Sequence, residues 1–383
     1  MNLALLQPRF ARVDIQLAEW EPHNDNSDAL QADPAAFVDA DHNHATFMLM
    51  QQLRAASVEL SASIWLVPDW LVQNPDVDRL RIIDRTMYPE AIESIAAWLL
   101  RAKQAYGVDV DFVSFNEADV GGISVLLSPD DYVELIRQAG ARFSELGLKT
   151  KWLLGDCASI GACLDYAKAI WAVEDIRRYL GPFAFHSYDA TRSPDTRLTA
   201  VGDWATEQGL ETRCTEGGWN SELWRQPGQY PTWENAHQLM IAYNRTIKMT
   251  KATTFYYWEM MGRDFSLNDG NHPYKAMELL LQLNRAFPAG SQVVNTSPNT
   301  NNIVLFAART PDGGFGVHIV NTSLVDDNIP DEVKLNGLPE GNYQLHVFEE
   351  SNLEQPPESV TTSNGSVTFM LPGYSVGYLV KTL

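Results

Sequence analysis

The chain has 383 residues, 45% of them hydrophobic and 20% charged, with a formal net charge of −21 at pH 7. That length exceeds one average domain and suits a large one plus a small one. No apolar run reaches the roughly 18 residues of a membrane span, and so acidic a surface repels phosphate backbones, which excludes nucleic acid as a partner and suits a neutral or cationic substrate.

The opening residues, MNLALLQPRF, lack the apolar run and small-residue cleavage site of a signal peptide. Leu3–Gln7 reads as the end of a helix. From about residue 11 to 287 short apolar strands then alternate with longer amphipathic helices. The predicted strands are Arg12–Leu17, Val58–Trp65, Asp109–Phe115, Thr150–Leu154, Phe183–Ser187, Thr212–Glu216 and Thr253–Trp258. Between them apolar residues recur at helical spacing: Ile92, Ile95, Ala96 and Leu99; Tyr132, Leu135, Ile136, Ala139 and Phe143; Leu239, Met240, Tyr243 and Ile247. Such alternation means parallel strands with crossover helices. The expected fold class is α/β, a (β/α)8 TIM-type barrel. Such a barrel closes with eight strands, and seven are legible here, so the first strand is expected to be missing from this chain. The unpaired sheet edges this leaves would favour a homodimer.

After Phe287-Pro288 the character changes. The segment AGSQVVNTSPNTNN, residues 289–302, reads as a polar linker. Five runs rich in β-branched and aromatic residues follow: Ile303–Ala308, Gly316–Asn321, Tyr343–Phe348, Ser366–Leu371 and Val376–Val380, separated by turn residues such as Asn336-Gly337 and Ser363-Asn364-Gly365. They predict a C-terminal antiparallel β-sandwich. The domain division is therefore 1–288 for the barrel and 289–383 for the sandwich. Cys157, Cys163 and Cys214 imply no disulfide framework and no paired metal spacing.

In barrels of this kind the catalytic side chains sit where strands exit into the βα loops. Two exits carry glutamates. VDVDFVSF runs into Asn116-Glu117-Ala118-Asp119, and ETRCT runs into Glu216-Gly217-Gly218-Trp219. Cleaving a glycosidic bond takes two carboxyls flanking it, one to protonate the leaving oxygen and one to attack or to steer water; about 5–5.5 Å between them gives double displacement with retention. An amide at Asn116 suits a hydrogen bond to the sugar 2-hydroxyl. A single strand-end glutamate would read as ordinary surface; the pair of motifs three strands apart is the signal.

These motifs resemble clan A of the (β/α)8 glycoside hydrolases, where the acid/base glutamate follows an asparagine at the end of strand four and the nucleophile ends strand seven. With the missing strand counted as the first, Glu117 and Glu216 fall at those exits. The resemblance implies that Glu117 is the general acid/base and Glu216 the nucleophile. Within the clan, glycoside hydrolase family 30 is most similar: Ser63-Ile64-Trp65-Leu66-Val67-Pro68-Asp69-Trp70 resembles its strand-three segment, His186-Ser187-Tyr188 its strand-six exit, and the C-terminal sandwich suits it. Two departures stand out. Ala118 takes the place of the proline that usually follows Asn-Glu, and the first strand with its exit loop is expected to be missing.

The resulting expectation is a retaining β-glycoside hydrolase acting on a β-linked oligo- or polysaccharide, endo-acting, with no cofactor. Such a substrate would favour a secreted or periplasmic location. The alternative is a carbohydrate-binding barrel that has lost turnover with its first strand. Trp258 is expected to stack on the sugar, Tyr188 to hydrogen-bond the nucleophile with His186 nearby, and Trp65, Trp219, Trp70 and Trp224 to lie in or beside exit loops, some lining the cleft and some packing. Trp20, followed by Glu21-Pro22, is expected to border the same cleft. His23, Asp25, Asp28, Asp39, Asp41, His42 and His44 crowd one loop, but their spacing matches no metal motif, and no metal ligands are assigned.

Overall fold

The computed structural model describes residues 8–77, 79–259, 264–323, 330–351 and 356–382. The Leu3–Gln7 helix end lies outside them. Seven parallel strands follow one another around a single curled sheet: β1 (Phe10–Gln16), β2 (Glu59–Leu66), β3 (Phe112–Phe115), β4 (Lys151–Cys157), β5 (Leu180–His186), β6 (Thr212–Gly217) and β7 (Phe255–Tyr257). The two edge strands approach each other, with the rings of Phe10 on β1 and Tyr256 on β7 stacked at 6.2 Å. The result is the expected nearly closed barrel, with helices outside it.

The helices that cover the barrel are α1 (Asp41–Ala55), α2 (Tyr88–Tyr106), α3 (Pro129–Glu145), α4 (Ile160–Trp171), α5 (Asp195–Gln208), α6 (Trp233–Thr250) and α7 (Lys275–Ala286). Their ends are set by local chemistry. The hydroxyls of Ser128, Ser159 and Thr232 accept from backbone N–H groups of the first turns of α3, α4 and α6. Each strand splits its residues between two faces. On β1, Val13 and Ile15 are buried in the layer between sheet and helices, while Arg12 points into the barrel. Each fully buried large side chain in that layer contributes about 1.5–3 kcal/mol.

The C-terminal part is an antiparallel sandwich. A six-stranded sheet has the order β8-β9-β10-β15-β12-β13, built from β8 (Gln292–Val294), β9 (Ile303–Arg309), β10 (Phe315–Asn321), β12 (Asn342–Phe348), β13 (Glu358–Thr361) and β15 (Val376–Lys381). A two-stranded sheet pairs β11 (Asp331–Asn336) with β14 (Ser366–Leu371). All five predicted runs are strands. β8, β11 and β13 are additions. β8 lies inside the segment expected to be a linker, where Gln292–Val294 pairs with Ala307–Arg309; three mostly exposed residues carry too little periodicity to read as a strand.

One apolar cluster joins the two parts: Leu239 and Met240 of α6 and Leu283 of α7 pack with Phe306, Val320 and Tyr378 of the sandwich. Polar pins cross the same seam. His237 Nε2 is 2.9 Å from the carbonyl of Asn321, and the Asn244 amide is 3.1 Å from His318 Nδ1. The cysteine expectation is corrected. Cys157, ending β4, is joined to Cys163 on α4, their Cα atoms 5.4 Å apart, because the strand exit turns straight back into the helix. No helix among the described residues is long and apolar enough to cross a membrane.

Candidate active site

Glu117 leaves β3 and Glu216 lies at the end of β6. The exits meet at the same mouth, and an oxygen of each carboxylate lies within 4.8 Å of the other. Glu117 is held at φ 52°, a left-handed conformation uncommon for glutamate, with its backbone N–H donating to the carbonyl of Asp156 at 3.2 Å. Asp156 is itself at φ 62°.

Both oxygens of Glu216 are engaged. The Tyr188 hydroxyl donates to Oε1 at 2.7 Å, and Arg12 Nη1 donates to Oε2 at 3.0 Å. Gly218 makes room for the first contact, since a Cβ there would lie 2.6 Å from the Tyr188 ring. The Ser187 hydroxyl ties the two exits together, donating to Gly218 O at 2.9 Å and accepting from Gly218 N at 3.0 Å.

Arg12 is the centre of a buried network that spans the barrel. Its Nη2 reaches Ser63 Oγ at 2.8 Å, Asn116 Oδ1 at 2.5 Å and Asp156 Oδ2 at 3.2 Å. Asp156 also accepts from Ser114 Oγ at 2.6 Å and from the Thr215 hydroxyl. Burial would disfavour the Asp156 carboxylate, but Arg12, His186 and these donors hold it well below the usual range. Burial likewise works against the Arg12 cation, and Asp156 and Glu216 more than compensate.

His186, ending β5, is fully buried beside three carboxylates. Its Nδ1 is 2.9 Å from Glu117 Oε1, and its Nε2 is 3.4 Å from Asp156 Oδ1 and 3.5 Å from Glu216 Oε2. Burial alone would lower its pKa; Glu216, Asp156 and Glu117 outweigh that and raise it to about 10. The ring is therefore an imidazolium at neutral pH. Glu117, His186 and Glu216 are close enough to offer three ligand atoms to one ion, but the Arg12 cation already holds Glu216 Oε2 at 3.0 Å.

Of the aromatic expectations, Trp65 and Trp258 stack on each other, centroids 4.8 Å apart and planes within 14°, and Arg12 lies 5.5 Å over the Trp258 ring. Trp219 is half-buried and its indole N–H donates to Asn235 Oδ1 at 2.8 Å. Trp224 is exposed, with Arg225 over its ring. Trp70 donates to Glu21 O at 3.1 Å. Trp20 is a correction. It is 2% exposed, stacks on Phe37, meets Phe47 edge-on and donates to Ser94 O at 3.2 Å, so it packs in the core and does not reach the cleft.

Sequence reasoning missed Arg12, Asp156 and Glu259. Glu259 follows Trp258; burial, reinforced by Asp264, Asp14 and Glu216, pushes its carboxyl up to about 7. The only available sequence signal was charge inside a strand: Arg12 in FARVDIQ and Asp156 in KWLLGDC. The loop crowded with His and Asp disperses. His42 meets Asp14 at 2.9 Å, and Asp39 meets Arg101 and the Tyr106 hydroxyl.

No protein-family model matches this sequence, and no curated protein matches it. Solved structures do. A family 30 endoxylanase of Clostridium papyrosolvens superposes with a TM-score of 0.74 at 16% identity, covering 98% of this chain and 89% of that one. A family 30 subfamily 8 xylanase of Clostridium acetobutylicum gives 0.73 at 16% identity, with 98% and 89% covered. An endo-β-1,6-glucanase gives 0.64 at 15% identity, with 99% and 86% covered. The fold is thus the barrel-plus-sandwich of clan A glycoside hydrolases. Its form is the one that family 30 structures take.

Proposed function

We propose that this chain is a retaining β-glycoside hydrolase in which Glu216 is the nucleophile and Glu117 the general acid/base. The observation that carries the reading is the spacing of the two carboxylates, with oxygens within 4.8 Å. That is near the separation of about 5–5.5 Å used for double displacement and short of the roughly 6.5–9.5 Å that leaves room for water in an inverting enzyme.

Glu216 attacks the anomeric carbon while Glu117 protonates the departing oxygen. The glycosyl ester on Glu216 is then opened by a water that Glu117 deprotonates, which regenerates both side chains. Tyr188 and Arg12 fix the attacking carboxylate through its two oxygens. Asn116 accepts from Arg12 through Oδ1, while its Nδ2 is buried without a protein partner. That N–H is the donor for the sugar 2-hydroxyl, a contact that strengthens in the transition state. The stacked Trp65 and Trp258 supply an aromatic wall for a sugar face.

The substrate class is a β-linked oligo- or polysaccharide, cut internally. The 16%-identical neighbours are named as xylanases and the 15%-identical one as an endo-β-1,6-glucanase, so the choice of sugar rests with the loops. The test is incubation with a panel of β-glucans, galactans and xylans, following reducing ends, with Glu216→Ala as control. Release of oligosaccharides by the native chain alone supports the reading. Sugar binding with no new reducing ends would replace it with a carbohydrate-binding barrel.

A further inference from the structure

A second group of carboxylates lies apart from the two catalytic glutamates. Glu90 and Glu93 sit one turn apart near the start of α2, and Asp25 comes from the loop after β1; an oxygen of each lies within 4.8 Å of the others. Glu21 adjoins them, its Oε1 accepting from Asp25 N at 3.4 Å. These are not solvated surface acids. Glu93 is 5% exposed and Glu21 is 0% exposed. Both oxygens of Glu93, Oε2 of Glu21, Oε2 of Glu90 and Oδ1 of Asp25 are buried and accept no hydrogen bond.

Buried acceptors in native proteins are nearly always paired, and a group left without a partner calls for a cause such as an ion. No Lys, Arg or His forms a salt bridge with any of the four acids among the described residues. Like charges packed this closely repel, and removal from water adds to the cost. A cation at their centre would reverse both effects.

We propose that Asp25, Glu90 and Glu93, with Glu21 beside them, bind a calcium ion. The donors are all oxygen, which selects a hard cation. Calcium holds oxygens about 2.3–2.6 Å away, so its shell spans about 5 Å and encloses atoms spaced as these are. Its irregular geometry accepts ligands from a loop and a helix together, where magnesium demands a near-ideal octahedron. The ion would pin the loop that follows β1 to α2. The proposal is independent of the hydrolase reading.

The test uses the full chain stripped with a chelator and dialysed against calcium chloride. One equivalent is expected to bind, and the thermal midpoint to rise by about 5 °C at saturating calcium. Terbium added in its place should luminesce on tryptophan excitation, because Trp20 donates to Ser94 O and Trp70 to Glu21 O beside the site. Glu93→Gln and Asp25→Asn should each lose the equivalent, the shift and the luminescence. Absence of calcium binding by the native chain would overturn the proposal, as would both variants binding as it does. Should one variant not fold, the other and the native stoichiometry decide.

Discussion

The guanidinium of Arg12 on β1 donates to Oε2 of Glu216 on β6, 3.0 Å away and 204 positions later in the chain. A cation thus sits behind the carboxylate assigned to attack and joins it to Asp156, Asn116 and Ser63.

Removing that cation strands two buried carboxylates. Arg12→Ala is expected to destabilise the fold by about 3–5 kcal/mol and to abolish turnover, whereas Arg12→Lys restores charge without the fork and recovers part of the stability. Urea unfolding and initial rates measure both. An alanine variant as stable and active as the parent would remove Arg12 from the account.

Tyr188→Phe removes the hydrogen bond to Glu216 Oε1. A hydrogen bond to a charged group is worth about 1.5–3 kcal/mol, so if that is expressed in the barrier kcat falls about 10- to 100-fold with the fold intact by circular dichroism. Gly218→Ala, which crowds the Tyr188 ring, should lower kcat in the same direction. Unchanged kcat in the phenylalanine variant would mean that Tyr188 only packs.

The two glutamates should respond differently to the leaving group. Glu216→Ala is expected to remove turnover on every substrate. Glu117→Ala should slow natural polysaccharides most and aryl glycosides with acidic leaving groups least, because the latter need little protonation. Equal loss on both substrate types counts against Glu117 as the acid.

Stability should depend on pH in two windows. His186, raised to about 10 by its carboxylate neighbours despite burial, stabilises the fold fully below its unfolded value of about 6.5, and that contribution is lost as pH rises toward 10. Burial lowers His237 to about 4 and His318 to about 3. These two contribute above about 6.5 and lose their contribution as pH falls to those values. Thermal midpoints from pH 3 to 10 should fall at both ends. His186→Asn should flatten the alkaline limb, and His318→Gln should reduce the acid limb while leaving the His237 contribution.

The alternation of strand and helix, the five main sandwich strands and the positions of Glu117 and Glu216 at strand exits were legible in the chain, because each depends on local periodicity and on a residue at the end of a short apolar run. Tyr188 and His186 were legible as neighbours of the same mouth for the same reason. Trp20 was misread because an aromatic after a strand faces either cleft or core according to how the next turn packs. Arg12 and Asp156 left only the signal of a charge inside a strand, and nothing along the chain joined Asp25, in its loop of His and Asp residues, to Glu90 and Glu93. Those groups meet only when strands far apart in sequence curl onto one axis, or when a loop folds against a helix more than sixty residues later. The sequence by itself thus determined the elements and the chemistry at each strand end. Tertiary structure alone decided which of those ends face one another, because closure of the sheet, not any local pattern, sets the distance between them.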